Sequence, residues 1–196
     1  RAAIESFPGE SAPWLLLANL HDKNGRPEAV EQVLREAVTK LANEEQAQAS
    51  MALAIFLLTQ DERNEGLEIL KNMANERQED VTVRLTLLSQ PEIRNRPSEA
   101  QTLVDELRKI EGERGVRWRF EQARLWLAEN DWKDGIEPAT QMLNYCIRAD
   151  AQWDDPVLVL GRLYEVLGRN DTAEEVYRRF FDTSPYNALV TLRISH

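Results

Sequence analysis

A single cysteine in 196 residues, Cys146, leaves no partner for an internal disulfide and none for a cysteine-based zinc site. Two histidines, His21 and His196, offer little for metal binding or acid–base chemistry. Positive charge is short as well. Lys and Arg number 24 against 34 Asp and Glu, and the net charge of −10 disfavours nucleic acid or an anionic membrane as the main partner. No apolar run approaches the roughly 20 residues that span a bilayer, and no signal peptide opens the chain. Glycine and proline are scarce, eight of each, and alternation with period two is rare, so helix is the expected conformation throughout. The apolar share, 42%, is too high for a disordered chain and sufficient for a core.

What is present is a recurring helical pattern. Val157, Leu160, Gly161 and Tyr164 follow i, i+3, i+4, i+7 spacing and form one stripe, with Asp155 before Pro156 as the starting signal. A polar break at Gly168–Asp171 follows. Ala173, Tyr177 and Phe180 then begin a second stripe, and Pro185 ends it. The same hairpin recurs along the chain. Trp14, Leu17, Ala18 and His21 precede a turn at Gly25, and Val30, Leu34 and Ala37 follow it. Leu53, Ala54 and Leu57 pair with Gly66, Leu70 and Met73; Leu87 and Leu88 with Ala100, Val104 and Leu107; Ala123 and Trp126 with Gly135, Ala139 and Met142.

These positions resemble those of the tetratricopeptide repeat. That pattern asks for bulky, Leu, small and large residues at 4, 7, 8 and 11, then small, bulky, Ala and Pro at 20, 24, 27 and 32. Leu160, Gly161, Tyr164, Ala173, Tyr177 and Pro185 meet it in the last copy, and Trp14, Leu17, Ala18 and Ala37 in the first. The resemblance implies an all-α solenoid of antiparallel helical hairpins wound as a right-handed superhelix. Small residues let the two helices approach and bulky ones fill the space beside the contact, so Leu17, Leu53 and Leu160 are expected to be buried. Five repeats are expected over residues 11–44, 47–79, 80–113, 116–150 and 154–187. Residues 1–10 read as the tail of a preceding repeat and 188–196 as the start of a further one, an excerpt of a longer array. The third copy is irregular: Arg84 stands at position 4, and Pro91 to Pro97 form a stretched turn. Polar Arg119 and Gln122 occupy positions 4 and 7 of the fourth, and extra residues precede the fifth.

No catalytic residue, metal site or cofactor is expected. His21 sits at a packing position, Cys146 continues the apolar face of Met142, Leu143 and Ile147, and the carboxylate pairs Glu44–Glu45 and Asp154–Asp155 lie beside helix starts, where capping explains them. Arg114, Arg117, Arg119 and Arg124 interleave with Trp118, Phe120 and Trp126, a pattern that could hold single-stranded nucleic acid. Neighbouring glutamates and the net charge argue against it.

In this family the face of each first helix that carries positions 2, 5, 9 and 12 lines a concave groove. Position 5 is apolar in every copy: Leu15, Met51, Leu85, Phe120 and Leu158. Ile55, Leu58 and Leu127 add to that floor, Asn19 stands at its beginning, and Arg117, Arg124 and Arg162 stand toward its end. The groove is expected to bind a protein or peptide, amphipathic and carrying acidic residues, with these side chains partly exposed. One subclass of the family clamps C-terminal carboxylates of chaperone tails. Asn19 matches one clamp position, but Leu15, Ala52, Thr82 and Thr86 occupy the others, so that mode is not expected. The function implied is a non-enzymatic interaction scaffold. The alternatives are a spacer or self-association segment of a larger protein and, behind it, single-strand binding. A cytoplasmic setting is favoured by the cysteine usage, although a leader upstream of Arg1 would be invisible in this sequence.

Overall fold

The structure, a computed structural model, describes residues 2–60, 62–128 and 132–183. The regular elements among these residues are all helical. They are α1 (Ala2–Ser6), α2 (Ala12–Lys23), α3 (Pro27–Lys40), α4 (Asn43–Thr59), α5 (Arg63–Glu76), α6 (Val81–Leu88), α7 (Pro91–Arg94), α8 (Pro97–Glu111), α9 (Arg117–Ala128), α10 (Ile136–Ala149), α11 (Asp155–Val166) and α12 (Asn170–Thr183), with short 3₁₀ turns ahead of α9 and α10. Each of the five expected repeats contains helices among the described residues. Pro185 and residues 188–196, read as the close of one repeat and the start of another, lie outside the described residues.

The chain divides into two compact units, Arg1–Ser89 and Gln90–His196. The division falls inside the stretch read as an irregular third repeat. In the first unit, α2 packs on α3, α3 on α4, α4 on α5 and α5 on α6. The loops are too short for anything but an antiparallel return. Gly25 makes the α2–α3 turn at φ +65, a conformation that penalises any side chain with a Cβ. Trp14, Ala18, Val30, Leu34, Ala37, Leu53 and Leu57 form a continuous buried cluster. Leu17, expected to be buried, is only half-buried, because it packs at the margin of that cluster. The start of α2 is held from α4: the Ser11 backbone N–H donates to a Glu45 carboxylate oxygen, and its hydroxyl donates to Gln48 Oε1 at 2.6 Å.

Arg84 departs from the repeat pattern and yet is 4% exposed. Its guanidinium donates to the carbonyl oxygens of Ala74 at 3.1 Å, Arg77 at 3.1 Å and Asp80 at 3.0 Å. It thereby adds donors to a carbonyl near the end of α5 and to two in the connection to α6, where the Arg77 carbonyl also accepts from the Asp80 N–H at 3.0 Å. Asp80 caps α6 by accepting from the Val83 N–H at 3.2 Å. Pro91 to Pro97 is not a plain turn: α7 lies within it and buries Ile93.

In the second unit, α7 packs on α8, α8 on α9, α9 on α10, α10 on α11 and α11 on α12. Phe120, Ala123, Ala139, Leu143, Cys146, Leu160 and Leu163 form one core, and Val157, Ala173, Tyr177 and Phe180 form the next. The polar residues at packing positions of the fourth copy are satisfied. Gln122 and Gln101 exchange side-chain amide bonds at 2.8 and 3.0 Å. The Arg119 guanidinium lies 4.3 Å from the ring centres of both Trp118 and Tyr145. No helix among the described residues is long and apolar enough to cross a membrane.

Candidate functional site

The residues read as a groove floor fall six on each unit. On the first, Leu15 and Met51 are half-buried, Asn19 is exposed, and Ile55 exposes 48% of its surface. Leu85 on α6 is half-buried. Leu58 corrects the expectation. It is 6% exposed, because α5 approaches α4 so closely at Gly66 that Leu58 closes the contact from the side. It belongs to the hairpin core rather than to a groove.

On the second unit, Leu158 is half-buried and Phe120 is a further correction. Expected to be partly exposed, Phe120 is 6% exposed. Trp153, from the extra residues ahead of the fifth copy, lies against its ring with centroids 4.8 Å apart, and the Arg124 guanidinium sits 5.4 Å from its centroid on α9. Arg117 completes the stack at 4.6 Å over Trp153, whose indole N–H donates to Asp155 Oδ2 at 3.0 Å. Arg124 is not a free cation, since it also pairs with Glu121 at 3.1 Å.

Glu121 is buried on α9 and receives a second ion pair from Arg94 of α7 at 2.9 Å. Burial raises the Glu121 carboxyl above the ordinary carboxylate range, and Arg124 and Arg94 pull it back down. Burial also lowers the Arg94 guanidinium, assisted by the nearby Arg124 and opposed by Glu121. Three partly desolvated charges that share their partners fix α7 onto α9. Cys146 is fully buried, its thiol donates to the Val116 carbonyl at 3.3 Å, and burial pushes its pKa up to about 11. A thiol so held is a poor nucleophile.

Two of the expected residues do converge on one cavity. Leu127 near the end of α9 and Arg162 on α11 line a pocket of about 370 Å³ with Val159, Leu163 and Val166. Leu163 is buried at its base, whereas Val166 exposes 66% of its surface. Arg162 is exposed and has no ion-pair partner among the described residues. Sequence reading missed Val159, Leu163, Val166 and Trp153. The first three form a second apolar stripe on α11 at i, i+4, i+7, legible beside the packing stripe. Trp153 belongs to no repeat position, so periodicity carries no signal for it.

No family model matches the sequence, and no curated protein matches it. Solved structures do. TTC0263, a thermophilic TPR protein of Thermus thermophilus, superposes with a TM-score of 0.63 at 18% identity, covering 94% of this chain and 97% of that one. The MamA protein gives 0.59 at 11% identity, over 90% and 95% of the two chains. A tetratricopeptide repeat protein from Parabacteroides merdae gives 0.59 at 13% identity, over 94% and 70%. The likeness lies in the fold: this chain has the fold of the tetratricopeptide-repeat proteins, as its small and bulky repeat positions implied.

Proposed function

We propose that the chain is a protein-interaction scaffold, rather than an enzyme, and that it holds a peptide or partner helix against the first-helix faces of its hairpins. The observation that carries this reading is the meeting of Leu127 and Arg162 around one open pocket with apolar walls. An apolar cavity whose edge carries a cation without an ion-pair partner among the described residues suits a segment that brings both an apolar side chain and a carboxylate. On the first unit, half-exposed Ile55 and exposed Asn19 offer the same mixture of apolar contact and polar rim. Solved proteins of this fold that are named for their repeats are consistent with a scaffold, and the net charge of −10 weighs against single strands of nucleic acid.

The test is selection of a random peptide library on the intact chain, followed by rebinding to Arg162→Glu and Ile55→Glu variants. Both substitutions sit on exposed positions and leave the cores untouched. Enriched peptides whose binding one of these changes weakens support the reading. Failure to enrich any sequence, or enrichment indifferent to both changes, overturns it.

A further inference from the structure

We infer that the pocket between α9 and α11 takes an amphipathic α-helix, not an extended peptide, with an apolar anchor in the pocket and a carboxylate one turn away on Arg162. The inference rests on the interaction reading above and narrows its occupant.

The first argument is that α11 carries two apolar stripes. Val157, Gly161 and Tyr164 face its own hairpin, where Gly161 meets Tyr177 of α12, and Leu160 joins the core built by α9 and α10. Val159, Leu163 and Val166 make the other stripe, and this one opens on the pocket. Val166, the most exposed of the three, gains burial only from something outside the hairpin.

The second argument concerns the backbone of the occupant. An extended peptide needs side-chain donors and acceptors along its track, because its own N–H and C=O groups are unpaired. The pocket wall provides one polar side chain among the described residues, Arg162, and a guanidinium donates but does not accept. The peptide N–H groups would be desolvated without partners, which disfavours the extended form. A helix satisfies its backbone internally and presents only side chains, which is what apolar walls can receive.

The third argument is charge. Arg124 on α9 is already tied to Glu121, and Arg117 is stacked on Trp153, whereas Arg162 has no ion-pair partner among the described residues. The Arg162 guanidinium beside the pocket selects one carboxylate, three or four residues from the anchor on the same helix face.

The experiment uses three fluorescently labelled alanine-based peptides, each about four helical turns long, with the intact chain. One is helical, with Leu at i and i+4 and Glu at i+3; one carries Lys in place of that Glu; one carries two central prolines. Anisotropy titration should show binding by the first, roughly tenfold weaker binding by the second, and none by the third. Val166→Asp should abolish the first interaction with the chain still helical by circular dichroism. Arg162→Gln should erase both its salt dependence and the Glu-over-Lys preference. Equal or better binding by the proline peptide, or indifference to Val166→Asp, overturns the inference. So does a failure of all three peptides to bind. Library peptides that rely on Ile55 while these helices fail would leave the scaffold reading standing and remove only this occupant.

Discussion

Gly161 of α11 lies beneath the ring of Tyr177 of α12, so close that a Cβ on the glycine would stand 2.2 Å from two ring carbons. Tyr177 is 2% exposed, and its hydroxyl donates to Glu165 Oε1 at 3.1 Å, so the ring has no free space into which to swing. Gly161→Ala should therefore destabilise the second unit by about 1–3 kcal/mol through overpacking, despite alanine's better helix propensity. Urea denaturation followed by circular dichroism measures it. Pairing the change with Tyr177→Leu should recover part of the loss, because the two sites are in contact.

Cys146 ties stability to alkaline pH. Its pKa rises from 9.0 to about 11 on folding, so the folded chain keeps a proton that the unfolded chain releases first. The resulting contribution is complete below pH 9 and is lost as pH rises through 11; its full size is about 2–3 kcal/mol. Stability measured between about pH 8 and 11 should fall less steeply for Cys146→Ala than for the parent. At neutral pH the thiol should react with iodoacetamide only in denaturant.

Arg84 ties the end of α5 to the start of α6 through three carbonyls, one of which, on Arg77, also accepts from the Asp80 N–H at 3.0 Å. Arg84→Met keeps much of the stem volume but removes the donors to Ala74, Arg77 and Asp80. The expected cost is about 1.5–3 kcal/mol in the first unit. Hydrogen exchange should show the end of α5 opening sooner. Arg84→Lys should not restore the parent value, because an ammonium cannot span three acceptors as the planar fork does.

Phe120 should behave as a core residue. Buried between Trp153 and Arg124, it cannot gain further burial from a partner. Phe120→Ala is expected to cost about 3–5 kcal/mol of stability, read as a lower denaturation midpoint with Trp153 fluorescence shifted to the red. A variant with parental stability would return Phe120 to the surface.

The all-α fold is legible in the sequence, because small and bulky residues recur at a fixed spacing and each stripe needs a partner surface. Ala18, Ala54, Gly161 and Tyr177 carry that logic locally, through the 3.6-residue period of one helix and the short return to the next. The site was legible only in part. Leu127 and Arg162 were named from their positions, whereas Phe120 and Leu58, chosen by the same rule, lie inside. A position number says which side of its helix a side chain occupies, but not what else arrives there. Trp153, delivered by residues outside the repeat, and the tight α4–α5 contact at Gly66 decided those two cases. Likewise Arg84 departs from the repeat pattern, and the carbonyls of Ala74, Arg77 and Asp80 are among the partners that make burial of its guanidinium favourable. Periodicity thus determined which helices form and which of their faces are apolar, since both depend on near neighbours in the chain. Exposure, charge pairing and the open pocket depend on which distant groups meet, and these the tertiary structure decided.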